Sequence, residues 1–249
     1  MSDALRGLRP VERPETLADR ARQEVRAAVM AGRFEPGARL TVRSVSQALG
    51  ISLTPAREAL YGLVAEGALE TGPTGSASIP VLTETRVQEL LVIRCALEGA
   101  AARAAAGRIT GAARDELRAC DAALRAAHRA GAFKEVMALN WRFHFAIYEA
   151  SAMPNLVRMI EGCWLSTGAY LNVIYPEYGQ TDRGLANHAA ILAAIEAREG
   201  ERLAAAIRTD IEMASRALLA AIAGRTEDAG GPDDAGGPDD AGGPDDAGA

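Results

Sequence analysis

The stretch LTVRSVSQALGISLTPAREALYG, residues 40–62, decides how the N-terminal part of this chain folds. Val42, Val45, Ser46 and Leu49 fall on one face of a short helix, and Ala56, Ala59, Leu60 and Leu63 recur at helical spacing in a second. Gly50 between them supplies a tight turn, so the spacing predicts a helix-turn-helix with one small shared core. Ser52 or Thr54 can cap the second helix, and Pro55 sits in its first turn, where a missing N–H costs nothing. With the core face so occupied, Thr54, Ala56 and Arg57 fall on or near the outer side at the leading end. That is the end which enters a DNA major groove in such motifs, and Arg57 is placed to reach a guanine edge or a phosphate.

Working outward, residues 1–14 hold two prolines and no periodicity, and read as a mobile arm. Leu17, Ala21, Val25 and Val29 then keep a spacing of four, predicting a helix over 15–31, and GRFEPGARL (32–40) carries the Gly and Pro of a helix stop and turn. After the motif, residues 68–70 and 76–82 read as short extended pieces joined by TGPTGS, a small hairpin or wing. These elements make a winged helix-turn-helix domain over 15–82. From Thr83 the pattern changes to long helical runs, predicted at 84–107, 111–130, 133–151, 154–175, 183–198 and 200–223, with Gly and Pro as punctuation. The fold class is therefore mainly α: the winged domain followed by an all-helical bundle over 83–224. Residues 225–249 form an acidic tail containing AGGPDD three times, with too little apolar surface to offset the entropy of ordering, and are expected to be disordered.

Composition narrows the function classes. A 249-residue chain that is 49% hydrophobic and 4% aromatic can bury a sizeable core and favours helices. No apolar run approaches the roughly 18 residues of a membrane span, and the N-terminus lacks the apolar stretch of a secretion signal, so a cytoplasmic protein without membrane contact is expected. Cys95, Cys120 and Cys163 are far apart and read as reduced core thiols. The net charge of -6 looks wrong for a nucleic-acid binder, but the eight acidic residues from Glu227 onward distort it; without them the balance is about +2. DNA binding must then rest on the local placement of Arg39, Arg43 and Arg57 rather than on a global field.

Five segments together resemble the GntR family of bacterial transcription regulators, in its FadR-like branch with a C-terminal FCD ligand domain. They are EPGARL (35–40), SLTPAREAL (52–60), AEGAL (65–69), IRCALEGAAARAAA (93–106) and NWRFHFAIYEAS (140–151), and the likeness runs over 17–219. The resemblance implies that the bundle is an FCD-type domain and that DNA contacts fall on Arg43, Thr54 and Arg57. The family's wing-tip glycine aligns with Ser76, beside Gly75. Leu53 stands where the family usually has a further arginine.

Asn140 and His144 are four apart and share one helical face. In the family's metal-binding members an acidic residue, a histidine four later and two further histidines on the last two helices hold a divalent ion. The resemblance thus implies a ligand set of Asn140, His144, His188 and Asp210, with Asn140 in the acid's place and Asp210 in that of the last histidine. Imidazole and carboxylate ligands suit zinc, nickel or manganese; a hydrogen-bonded polar cluster without metal is the alternative. Arg94 and Glu98 could form an i,i+4 ion pair, whereas the resemblance implies that Arg94 faces a cavity and binds an effector carboxylate. Trp164, Tyr170 and Asn172 line that cavity or serve as core or dimer contacts.

The expected function is a ligand-responsive, DNA-binding transcription regulator, a repressor of a metabolic operon. It would bind an operator in double-stranded DNA as a homodimer, with a small organic acid changing the placement of its DNA domains through residues 79–85. Two rivals are a metal-dependent hydrolase and a DNA-binding architectural protein blind to ligands. No GxSxG motif and no base presented beside His144 or His188 favours an enzyme, so none is expected.

Overall fold

The structure is a computed structural model that describes residues 15–30, 32–72, 76–178 and 183–228. The predicted arm at 1–14, Gly75 in the wing and the repeats at 229–249 lie outside the described residues. Helix α1 (Leu17–Met30) opens with a reciprocal cap. The Thr16 hydroxyl accepts from the Asp19 N–H at 3.1 Å, and the Thr16 N–H donates to Asp19 Oδ2 at 3.1 Å. Thr41 and Ser44 cap α2 (Val42–Leu49) in the same way, and Gly50 ends it at φ 64°, a left-handed conformation that costs glycine little. Helix α3 (Leu53–Ala65) begins without such help: Ser52 occupies its N-cap, but its side chain makes no capping hydrogen bond, and Thr54 lies inside the helix.

Ala56 corrects the expected outer face. It is fully buried with Ala59, Leu60 and Leu63, one turn before Leu60 and two before Leu63, so it belongs to the core stripe and not to the exposed leading end. The wing also gains a strand. β1 (Arg39–Leu40), β2 (Glu70–Thr71) and β3 (Ala77–Ser78) form an antiparallel sheet in the order β1-β3-β2, with Arg39 and Glu70 both opposite Ser78. The predicted hairpin is thus shorter than 68–70 and 76–82, and the turn sequence before α2 supplies its third strand.

The C-terminal bundle holds α4 (Glu84–Ala105), α5 (Gly111–Arg129), α6 (Phe133–Glu149), α7 (Pro154–Tyr178), α8 (Arg183–Ala197) and α9 (Gly200–Asp228). Helix α9 continues to Asp228 instead of stopping near 223, taking in the first residues assigned to the tail. Helix α4 lies along α9, α5 packs on α6, and α8 on α9. Ala101, Ala102, Phe143, Tyr148, Ile160, Trp164, Ile191 and Ile207 fill the centre.

The two parts share a core. Val25, Val29, Leu60 and Leu63 of the winged domain cluster with Val87, Leu90, Leu165, Tyr170 and Leu218 of the bundle. Helix α7 makes this possible by carrying glycines where α1 crosses it: a Cβ on Gly168 would lie 3.1 Å from the Val29 carbonyl oxygen. Polar contacts reinforce the seam. Arg26 pairs with Glu66 and Glu161, and the Ser166 hydroxyl donates to Gly67 O at 3.1 Å. The connecting segment is pinned as well, since the Leu82 N–H donates to the Tyr170 hydroxyl at 2.6 Å in a buried setting. Replacing Tyr170 with Phe leaves that amide without its acceptor. The Tyr170→Phe protein should lose about 1–3 kcal/mol of stability in urea unfolding, with its secondary structure unchanged.

Candidate metal centre and nucleic-acid interface

Periodicity on three helices of the bundle core brings three metal-ligating side chains to one place. α6 packs Phe143, Ile147 and Tyr148 inward and carries His144 with them; α8 buries His188 beside Ile191; α9 turns Asp210 inward beside Ile207 and Ile211. One ligand atom from each of His144, His188 and Asp210 lies within 4.8 Å of the others. Asn140 sits one turn before His144 on the same face and is half-buried. The convergent groups come from three separate helices, so the site exists only in the packed bundle.

A chain of hydrogen bonds sets the proton positions at His144. Tyr148 donates its hydroxyl to Glu98 Oε2 at 2.5 Å, and Glu98 is held in turn by Arg94 through Nε at 2.6 Å. Burial and the nearby Glu98 push the Tyr148 phenol well above its usual range, so it remains a donor to the carboxylate. Its oxygen is then free to accept from His144 Nδ1, 3.3 Å away. His144 Nε2 then faces Asp210 Oδ2 at 3.3 Å, and no well-aligned hydrogen bond joins them. A buried imidazole nitrogen facing a carboxylate is matched either by a proton on the nitrogen or by a cation between the two. Two imidazoles and a carboxylate match the donor set of zinc, nickel or manganese, so the residues present fit a divalent ion.

Asp210 is prepared for this role. Burial alone would raise its carboxyl, but His144, His188 and Asn187 outweigh burial and hold it down at about 2. Asn187 Nδ2 donates to Asp210 Oδ1 at 3.0 Å, orienting the carboxylate so that Oδ2 faces His144. Arg94 lies against this cluster with its guanidinium carbon 4.9 Å from the Trp164 ring centre and is almost wholly buried. Its Nε and one amino group are spent on Glu98, as an i,i+4 pair. The Trp164 ring is 5.5 Å from that of His144, and its indole N–H is buried without a partner. Tyr170 faces the seam with the winged domain instead, and the side chain of Asn172 lies outside the described residues.

Sequence reasoning missed Asp121. It stands on α5, with Oδ1 3.3 Å from His188 Nδ1 and Oδ2 bound by Arg125 Nε at 2.7 Å. Burial would raise its carboxyl, yet His188 and Arg125 together lower it. The only local signal was the i,i+4 spacing of Asp121 and Arg125, which says nothing about a histidine on a distant helix.

At the other end of the molecule, Leu53, Thr54 and Arg57 are exposed on the first turns of α3, and Arg43 is exposed on α2. Leu53 is 51% exposed, a large apolar side chain presented to solvent beside the arginines. Ser76 is buried at the turn end of the β2–β3 hairpin, where its hydroxyl accepts from Arg39 at 3.2 Å.

Comparison with known proteins agrees with this arrangement. Residues 17–79 match the model of "Bacterial regulatory proteins, gntR family", and residues 89–213 match that of the FCD domain. The chain belongs to the gntR family. Among its relatives in that family, the HTH-type transcriptional regulator McbR of Escherichia coli (strain K12) is 33% identical over 172 residues, 68% of this chain and 78% of the relative. A protein of Paenarthrobacter nicotinovorans named "Probable D-xylose utilization operon transcriptional repressor" is 29% identical over 189 residues, 75% of this chain and 81% of the relative. The solved structure of E. coli McbR/YncC superposes with a TM-score of 0.77 at 28% identity, covering 82% of this chain and 98% of that one. A gntR regulator from Rhodococcus sp. RHA1 shares the fold, with a TM-score of 0.68 at 20% identity over 82% of this chain and 97% of that one. This gntR chain is a DNA-binding transcription regulator. Among its described residues, no helix is long and apolar enough to cross a membrane.

The depressed Asp210 carboxyl makes the metal-free protein sensitive to acid. Its contribution is fully present above the ordinary aspartate range and is lost as pH falls from about 4 towards 2. In thermal melts of chelator-treated protein, the stability gap between wild type and Asp210→Asn should therefore be widest above about pH 4 and narrow below it.

Proposed function

We propose that this regulator reads operator DNA through Arg43, Thr54 and Arg57 and represses a metabolic operon in response to a small carboxylate. The observation that carries the reading is the exposed leading end of α3. Its core stripe, Ala56, Ala59, Leu60 and Leu63, is buried, so Leu53, Thr54 and Arg57 stand on a rigid helix and face outward. An arginine in that place can pair bidentately with a guanine or contact a phosphate. Leu53, where an arginine is more usual in the family, offers apolar contact to a thymine methyl instead, which moves base preference at that step. Arg39, steadied by Ser76, flanks the wing.

One such domain buries little surface, so a homodimer on a two-fold operator is the working assembly, in the cytoplasm where the DNA lies. The name of the Paenarthrobacter relative favours repression as the sign. In the bundle, His144, His188 and Asp210 would hold a zinc, nickel or manganese ion, with Asn140 one turn away as a further oxygen donor. A bound ion would supply an electropositive anchor for the effector's carboxylate. Around it, Arg94 balances Glu98 and the unpaired Trp164 N–H offers a donor to the effector. Helix α7 then transmits occupancy, because it carries Trp164 beside His144 and Gly168 and Tyr170 on the side that grips α1 and residue 82. The relatives are regulators and not hydrolases, so metal-assisted hydrolysis is not the favoured reading.

The test is fluorescence anisotropy with duplexes tiled across the DNA flanking the gene. Arg57→Ala should lower affinity for the preferred duplex by about 10- to 100-fold and relax base discrimination. Arg43→Ala should weaken all duplexes more uniformly if it meets phosphate. Unchanged affinity and discrimination in both variants would reject this interface.

A further inference from the structure

The geometry points to Asp121 as the positioning residue for His188: its carboxylate accepts a hydrogen bond from His188 Nδ1–H and so leaves Nε2 as the nitrogen that ligates a divalent cation. This rests on the cation site proposed above and names the residue that sets its ligand orientation.

Three observations converge on it. Asp121 Oδ1 and His188 Nδ1 are both buried, both lack a hydrogen-bond partner and lie 3.3 Å apart. One is an acceptor and the other can be a donor, so each is the natural complement of the other, and a small adjustment satisfies both. The carboxylate is itself fixed, because Arg125 binds Oδ2 at 2.7 Å and reaches on to Leu185 O at 2.6 Å. Helix α5 therefore grips α8 at residues 185 and 188. The ring plane is fixed too: Phe143 stacks on His188 with centroids 4.3 Å apart and planes 13° from parallel.

A neutral imidazole carries one N–H and one lone pair. A proton held on Nδ1 by Asp121 places the lone pair on Nε2, on the far side of the ring. His144 follows the same rule with a weaker partner, its Nδ1 facing the Tyr148 hydroxyl and its Nε2 facing Asp210.

The experiment uses full-length protein stripped with a chelator. Nitrogen-15 labelling of the three histidines, with assignment by substitution, reads tautomers directly; near neutral pH wild-type His188 should be the Nδ1–H form, and Asp121→Ala should lose that preference. Zinc affinity by chelator competition should fall about 10- to 100-fold in Asp121→Asn and Asp121→Ala. Arg125→Gln separates positioning from mere helix clamping: it removes the ion pair but keeps the carboxylate, and should preserve both the tautomer and, within about threefold, the affinity. An Nε2–H tautomer in wild type, an Asp121→Asn affinity within about twofold of wild type, or an equal loss in Arg125→Gln would overturn the assignment. Wild type that takes up no zinc, nickel or manganese would overturn the cation site along with it, whereas normal uptake by wild type and Asp121→Asn alike would overturn the role of Asp121 alone.

Discussion

Charge buried in a helical bundle has to be matched within it, and this constraint organises the C-terminal domain. Arg94 and Glu98 sit almost entirely out of water, as do Tyr148, His144 and His188. Breaking one member of such a set costs about 3–5 kcal/mol, because the remaining charge keeps its desolvation penalty. The ladder from Arg94 through Glu98 and Tyr148 to His144 links each member in turn and ends with His144 Nε2 facing the Asp210 carboxylate. A bundle built only for stability would fill this space with aliphatic side chains. Two histidines and two carboxylates stand instead where α5, α6, α8 and α9 meet, a donor set suited to the ligand-responsive role proposed for this domain.

The second consequence concerns how the receptor meets the DNA-binding domain. A linker alone would transmit little, since a flexible tether leaves two bodies independent. Here α7 is common to both cores. Trp164 lies against His144 and Arg94, while one turn further on Gly168 lets the backbone of α1 come within contact distance, and Tyr170 holds the amide of Leu82. Arg26 adds a charged seam by pairing with Glu66 of the winged domain and Glu161 of α7. A sub-ångström shift of Trp164 is therefore passed on through a rigid helix rather than absorbed, as expected of close-packed interiors.

Much of this fold was legible in the chain because its signals are local. Apolar spacing and Gly or Pro breaks place all the bundle helices to within a few residues, except at the ends of α7 and α9. Signals that depend on distant partners were not legible. β1 forms only because β3 returns to pair with it, so a two-residue strand inside EPGARL has no pattern of its own. Ala56 reads both in the apolar stripe with Ala59, Leu60 and Leu63 and on the outer leading end, and its burial shows that the stripe is the right reading. Ser52 has the chemistry of a cap without making the bond, because side-chain type does not fix a rotamer. At the site, His144, His188 and Asp210 were readable through the family resemblance. Asp121 was not, since nothing in an Asp-x-x-x-Arg helix repeat points across the bundle to α8. Tyr170, read as a cavity or core residue, turns out to tie the linker to α7.

The claim on which the account turns is that the buried site and the DNA-binding domain are one mechanical unit joined by α7. Hydrogen–deuterium exchange of the full-length protein, stripped of metal and then loaded with zinc, nickel or manganese, tests it directly. The account predicts slower exchange at the site helices, along α7, and at the amides of α1 and the end of α3 that pack on it. Protection confined to α6, α8 and α9, with α7 and the winged domain unchanged, would contradict it.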